Sequence, residues 1–359
     1  MGPNPQRFEA GKGKPMGLYH EILEQPNVLG GLLQSRSHVE DTCARLGERA
    51  FDFVMIAARG SSDHAALYAK YLLGIVNRLP VALAAPSMFT FYNSPPKLGR
   101  ALVIGISQSG ASEDIVSVLR SAREQGAATL AITNHPRSPL GETAEHVLDI
   151  QAGEERAIAA SKSYTATLLT VAMLSAGLAR DPARFEALSR VPDLVSRMLE
   201  EDLRVQRMVE RYRYMSQCIV LGRGYNYTTA YEWSLKLKEL AYVAAEPYSS
   251  ADFQHGPIAL VEDGFPVLAV IPSGAVSAEL VDLVRRLVEE RQAELVAISD
   301  AQGALELARS PIPLPSGIPE WISPLVCVVP AQLFSYYITR AKGLDPEHPR
   351  GLAKVTLTR

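Results

Sequence analysis

Phe51 to Gly60 reads FDFVMIAARG and Gln217 to Gly224 reads QCIVLGRG, each an apolar run closed by Arg and Gly, with the glycines 164 residues apart. The same spacing returns further on, where ALVIGISQSG ends at Gly110 and FPVLAVIPSG ends at Gly274. Helix-period segments follow in both places, EDIVSVLRSAREQ from Glu113 and SAELVDLVRRLVEERQ from Ser277. A third apolar run comes next, ATLAITN to Asn134 and AELVAISD to Asp300, now offset by 166 residues. A duplication of this kind makes one supersecondary plan serve twice, with small insertions absorbed in loops. Short continuous apolar runs suit strands covered on both faces, and their alternation with helices predicts parallel βαβ units with right-handed crossovers. The expected fold is therefore two similar three-layer α/β domains. In such sheets ligands bind beyond the carboxyl ends of the strands, so the polar loops there are the places to look for chemistry.

Composition agrees with two domains: 359 residues, 47% hydrophobic and 21% charged, supply a core for each half. A formal charge of −3 without long runs of one sign argues against nucleic acid or an anionic membrane surface as partner. Three widely spaced cysteines, Cys43, Cys218 and Cys327, suggest neither a disulfide framework nor a metal site and point to the cytosol. The opening MGPNPQRFEAGKGKP lacks the apolar core of a signal peptide and reads as a frayed tail. The uncharged stretch Ser163 to Ala179 is read as the sole one near membrane-span length, and its threonines favour a buried helix.

The remaining segments divide as follows. A fourth strand is expected to end at Ile150 in HVLDI, and its counterpart at Val329 in SPLVCVVP. Four prolines between Pro311 and Pro319 suggest an extended connector ahead of that last strand. Asp181 to Glu210 reads as helix, and GLYHEILEQPNVLGGLLQSR as helical turns broken at Gln25 and Pro26. The boundaries expected are 1–40 for a tail and helix, 41–190 and 200–340 for the two domains, and 341–359 for a C-terminal tail.

Two loops of the first copy carry the hydroxyls. Ser107-Gln108-Ser109-Gly110-Ala111-Ser112 leads from a strand into a helix, where free N–H groups and the helix dipole would favour an anion. Equally, Ser109 or Ser112 could simply cap that helix, with Glu113 and Asp114 facing its dipole. Arg59-Gly60-Ser61-Ser62 is a second such turn, expected on the neighbouring strand. No Walker motif, dinucleotide fingerprint, HExxH or GxSxG elbow is present, so no cofactor and no metal are expected. In the second copy Lys236 and Glu239 share a helix face, the usual pattern of a surface ion pair, and His255 precedes Gly-Pro on a loop. Lys354 lies in a terminal segment of the kind that frays.

The stretches EILEQP, ARGSS, ISQSGASED, ERAIAASKSYTA, YEWSLKLKELAYVAAEPYSSADFQHGP and PRGLAKVTLTR, taken together, resemble the sugar isomerase (SIS) domain family. Within it they resemble the isomerase half of the glutamine–fructose-6-phosphate amidotransferases. The resemblance runs from about Leu18 onward and implies two tandem SIS domains, each an αβα sandwich around a mainly parallel five-stranded sheet. It implies a sugar phosphate held by Gly60, Ser61, Ser62, Ser107, Gln108, Ser109 and Ser112, with Ala159 and Ala160 beside the sugar. It further implies Glu239 as acid/base carboxylate, Lys236 as its neighbour, His255 as ring opener supplied by the partner of a homodimer, and Lys354 as a tail lysine able to form a Schiff base. Gln254 and Ala160 depart from the family pattern, which has Lys and a hydroxyl residue there. A glutaminase domain with an N-terminal cysteine is not expected, since about forty residues precede the first unit. The resemblance then favours glucosamine-6-phosphate deamination, with a fructosamine-6-phosphate deglycase, a galactosamine-6-phosphate deaminase/isomerase, a plain aldose-ketose isomerase and a non-catalytic sugar-phosphate sensor as alternatives.

Overall fold

A computed structural model describes residues 17–354, so the opening run read as a tail lies outside the described residues. Helices α1 (Leu18–Leu23), α2 (Gln25–Leu32) and α3 (Arg36–Gly47) come first. The first copy runs β1 (Phe53–Ala57), α4 (Ser61–Val76), β2 (Val81–Leu83), α5 (Ser87–Thr90), β3 (Ala101–Ile106), α6 (Glu113–Glu124), β4 (Ala128–Thr133), α7 (Pro139–Thr143), β5 (His146–Asp149) and α8 (Lys162–Ala179). Connecting helices α9 (Pro182–Ser189), α10 (Val191–Leu199) and α11 (Asp202–Val209) follow. The second copy repeats the plan as β6 (Gln217–Gly222), α12 (Tyr227–Ala241), β7 (Ala244–Ser249), α13 (Ser250–Phe253), β8 (Pro266–Ile271), α14 (Ser277–Arg291), β9 (Glu294–Ser299), α15 (Gln302–Leu307), β10 (Ser310–Pro313) and α16 (Ser323–Ala341).

Each sheet has five strands, all paired in parallel, in the orders β2-β1-β3-β4-β5 and β10-β9-β8-β6-β7. Read from the other edge the second is β7-β6-β8-β9-β10, the order of the first, so the duplication extends to topology. Alternate residues explain the layers. Val54, Ile56, Leu102 and Ile104 of one sheet, and Val220, Leu268 and Val296 of the other, share a single core with Tyr68, Leu169, Trp233 and Phe334 from α4, α8, α12 and α16. The opposite faces are covered separately, Val103 and Ala131 by Ile115 and Leu119 of α6, and Leu221 and Val267 by Leu283 and Leu287 of α14. The two sandwiches thus share their middle helical layer, which fuses them.

Several expectations need correction. SPLVCVVP is not a strand but the start of α16, buried along nearly its whole length despite Pro330. A continuous apolar run fits a buried helix as well as a buried strand. The last strand is instead SPIP, at the sheet edge where proline's missing donor costs no ladder bond. Part of the proline connector is therefore strand. The stretch Ser163–Ala179 is the buried helix α8, as read, but it is not alone. Glu320–Ala341 is also long and apolar enough to cross a membrane by composition, and 94% of its apolar window is buried inside the protein. Asp181–Glu210 is three helices rather than one, because Pro192 starts a new helix at α10 and the Glu200–Glu201 turn ends it. The N-terminal break falls at Glu24, with Gln25 and Pro26 opening α2.

Candidate active site

In the first sheet the chain moves from β1 to one side for β2 and to the other for β3. That reversal opens a crevice at the carboxyl ends of β1 and β3, and the loops lining it are Arg59–Ser62 and Ser107–Ser112. The two hydroxyl loops are therefore neighbours, as their spacing suggested. Gly60 opens α4 at φ 55°, ψ −133°, a backbone state that side-chain-bearing residues avoid. Arg59 ties the loops together through its Nε, 2.9 Å from Asp114 Oδ2 at the start of α6, where the Asp114 carboxylate is buried. Ser107 Oγ accepts from Gly110 N at 3.2 Å and lies 3.4 Å from Ser112 Oγ, while Ser109 Oγ accepts from Ala111 N at 3.3 Å. Ser112 stands at the N-cap position of α6 but its hydroxyl caps no helix amide, so the capping reading is corrected. Ser62 is half-buried in the first turn of α4, and the Gln108 side chain lines a cleft of about 500 Å³ with Asn134, Gly153 and Glu155.

Gly110 has φ 64°, and a Cβ there would lie 1.9 Å from Ser138 Oγ. Gly110→Ala is accordingly expected to push the serine loop off Ser138 and, if the loop holds the phosphate as the family resemblance implies, to weaken sugar-phosphate binding about tenfold or more, measured by titration calorimetry. It should also cost about 1–3 kcal/mol of stability from strain at this backbone position.

The second copy repeats the crevice but fills it. The Glu320 carboxylate accepts from Ala275 N at 2.9 Å, and a Cβ on Gly274 would come within 2.3 Å of Glu320 Cδ. A side-chain anion thus stands where the counterpart of the Ser107–Ser112 loop leaves hydroxyls and amides open. Arg223, the counterpart of Arg59, pairs with Glu279.

From the second copy, α12 crosses onto α4 and delivers its charged face to the first loop. Glu232 Oε1 accepts from Ser61 Oγ at 2.8 Å, and Glu232 Oε2 lies 2.7 Å from His64 Nδ1. One turn on, Lys236 Nζ is 3.4 Å from Glu232 Oε1 and 2.6 Å from Glu239 Oε2. The side chains of Glu232, Lys236 and Glu239 are 0%, 3% and 23% exposed, so the surface ion pair expected for Lys236 and Glu239 is a buried network with Glu239 at its open end. Burial works against the Glu232 charge, but Lys236, His64 and Ser61 outweigh it and hold the carboxyl below its ordinary range. Burial likewise opposes the Lys236 charge, and the Glu232 and Glu239 carboxylates reverse that and raise it.

Glu232 and His64 were not singled out in the sequence. Glu232 had a signal, since it stands four residues before Lys236 on the same helix face; His64 had none, because its partner comes from the other repeat.

Lys354 is not frayed. Its Nζ donates to Glu155 Oε2 at 2.8 Å and to Ala157 O at 2.6 Å, reaching the loop between β5 and α8 that also carries buried Ala159 and half-buried Ala160. His255 sits exposed in the turn after α13, outside the Glu232–Lys236–Glu239 network of its own chain. The amide of Gln254 before it donates to Ser250 O and accepts from Arg286 at 2.6 Å. All three cysteines are buried, with burial pushing the Cys43 thiol up to about 12 and likewise raising the Cys218 and Cys327 thiols.

Comparison with known proteins agrees with this geometry. Residues 53–176 and 214–339 each match the model of the SIS domain. Glutamine–fructose-6-phosphate aminotransferase (isomerizing) of Thermus thermophilus is 36% identical over 358 aligned residues, covering 95% of this chain and 59% of the relative. The chain thus spans about three fifths of the length of such relatives. A structure from Silicibacter pomeroyi described as a candidate phosphosugar isomerase superposes with TM-score 0.83 at 32% identity, covering 92% of this chain and 99% of that one. The C-terminal domain of glucosamine-fructose-6-phosphate aminotransferase from Francisella tularensis superposes with TM-score 0.84 at 25% identity, over 96% and 100% of the two chains.

Proposed function

The chain belongs to the SIS domain family, and from that premise we propose that it moves a proton between C1 and C2 of a hexosamine 6-phosphate and releases ammonia. The observation that carries this reading is the line of contacts from Ser61 through Glu232 and Lys236 to Glu239, which joins the hydroxyl loops of one repeat to a partly open carboxylate of the other. The phosphate rests on Ser62, Ser107, Gln108, Ser109 and Ser112, whose hydroxyls and amides suit an anion. Glu239 takes the proton from C2 of the open-chain aminoaldose and returns it to C1 on the same face. The product is a C2 imine, to which water adds; expulsion of ammonia leaves fructose 6-phosphate, so substrate plus water balances ketose phosphate plus ammonia.

Lys236 keeps its positive charge and offers an N–H to the oxygen that gains charge as the enediol-like intermediate forms. His255, exposed and outside its own chain's network, opens the sugar ring from a second copy of the chain, which makes a homodimer the active unit. Lys354 closes over the open-chain sugar.

The test is to incubate the protein with glucosamine 6-phosphate, galactosamine 6-phosphate, fructosamine 6-phosphate and fructose 6-phosphate and to measure ammonia and ketose. Ammonia and fructose 6-phosphate in equal amounts from glucosamine 6-phosphate are expected. Isomerisation without ammonia would reduce the reading to an aldose-ketose isomerase, ammonia only from another hexosamine phosphate would reassign the substrate, and binding without turnover would make the protein a sensor.

A further inference from the structure

The chain after α16 is held at three points. Glu347 receives the first free amide of α1, with Leu18 N 3.0 Å from both its carboxylate oxygens. Arg350 donates its backbone N–H to Tyr242 Oη at 2.7 Å and lays its guanidinium over the Tyr242 ring, 3.8 Å from the centroid. Lys354 ends the run on Glu155 and Ala157. Glu155 is a fully buried carboxylate that also accepts from Ser161 N, Ser163 N and Ser163 Oγ at 2.9, 3.0 and 2.6 Å. Across the same loop Glu21 of α1 accepts from Arg156 N at 2.5 Å and Ala157 N at 3.3 Å. The peptide around Ala157 is therefore gripped by Glu21 through its N–H and by Lys354 through its carbonyl. Glu21 and the Glu347-bound amide belong to one short helix, so tail, first helix and loop close into a ring of contacts.

We propose that Glu155 is a positioning residue that docks the C-terminal tail, and that residues 342–354 form a strap held shut over the loop between β5 and α8 by the Lys354–Glu155 ion pair. This rests on the reading above that Lys354 meets the sugar, and adds to it the group that brings Lys354 there. A buried carboxylate whose other bonds come from neutral donors needs a cation to complete it, and Lys354 is the cation that reaches it. Removing either partner frees the end of the tail while leaving both sheets untouched.

The test needs no substrate. Tryptic cleavage after exposed Arg350 is timed by mass spectrometry in the full chain, in E155Q, in K354M and in the double variant. Each single change is expected to speed cleavage at least tenfold, and the double variant should cleave no faster than the faster single one, because both remove the same contact. Unchanged cleavage in either single variant, or a double effect equal to the product of the two, would overturn the proposal. K354M changes a partly exposed side chain at the end of the tail and keeps the Glu155 carboxyl in place, so it keeps the proposal testable even if E155Q does not fold. With glucosamine 6-phosphate, E155Q and K354M should also lower turnover to the same extent and non-additively. A chain that passes the proteolysis test but releases no ammonia would leave the strap standing and remove only the assigned reaction.

Discussion

Glu239→Gln is expected to lower turnover of glucosamine 6-phosphate by about 10²–10⁴-fold while leaving sugar-phosphate affinity within a few fold of the original protein. In free energy that is about 3–5 kcal/mol, lost only from the transition state. The split follows from where the groups sit. In the proposed reading, binding energy comes from the serine loops of the first repeat, 107–112 and 59–62, which the substitution does not touch. The amide is the same size as the carboxylate and can still accept from Lys236, so the helix keeps its packing, but it cannot take a proton from carbon. Two carboxylates face Lys236, and burial distinguishes their tasks: Glu232 is closed in by Ser61, His64 and Lys236, whereas Glu239 keeps a quarter of its side chain open. Ammonia release and titration of an unreactive sugar phosphate on the same variant check both halves. Undiminished turnover would remove Glu239 from the mechanism.

Glu232→Ala is expected to act on stability instead, costing about 3–5 kcal/mol by urea unfolding, because it leaves buried Lys236 with only its more exposed partner and strips His64 and Ser61 of theirs. The pH dependence has a definite sign. A carboxyl held below its unfolded value of about 4.3 contributes stability that is complete above that value and disappears as pH falls through the folded one. Lys236 is raised, so its share is complete below the ordinary lysine value of about 10.4 and is lost only as pH climbs through the folded value. The deficit of the variant should therefore be flat from about pH 6 to 9 and shrink below about pH 4. A deficit unchanged at low pH would show that packing, not charge, is what Glu232 supplies.

Reading the repeat got β1, β3, β4 and β5 of the first copy, the helix after β3 and the adjacency of the two serine loops, because apolar period and glycine position depend on local sequence; it missed the three-residue, largely exposed edge strand β2. The same logic, carried one element further, would have identified α16: α8 ends at Ala179 and α16 at Ala341, an offset of 162 close to the others, so a buried helix in one copy called for one in the other. Period alone misled there because a segment packed on every side shows no polar face to reveal its pitch. The buried network was half legible. Lys236 and Glu239 stood out by spacing, but their burial and the partnership with Ser61 and His64 depend on α12 meeting α4 across the shared layer.

What the chain settled by itself was the plan: two parallel sheets of one topology, with hydroxyl-rich turns at the strand ends of the first and the charged helix in the second, since these follow from residue order and side-chain period. Which turn is open and which is plugged by Glu320, which carboxylate is closed in and which stays partly exposed, and where Lys354 comes to rest were decided only by the tertiary structure. Those outcomes rest on contacts between residues far apart in the chain, 45 positions for Ala275 with Glu320, 171 for Ser61 with Glu232 and 199 for Lys354 with Glu155, and burial created by such contacts changes what a charge can do.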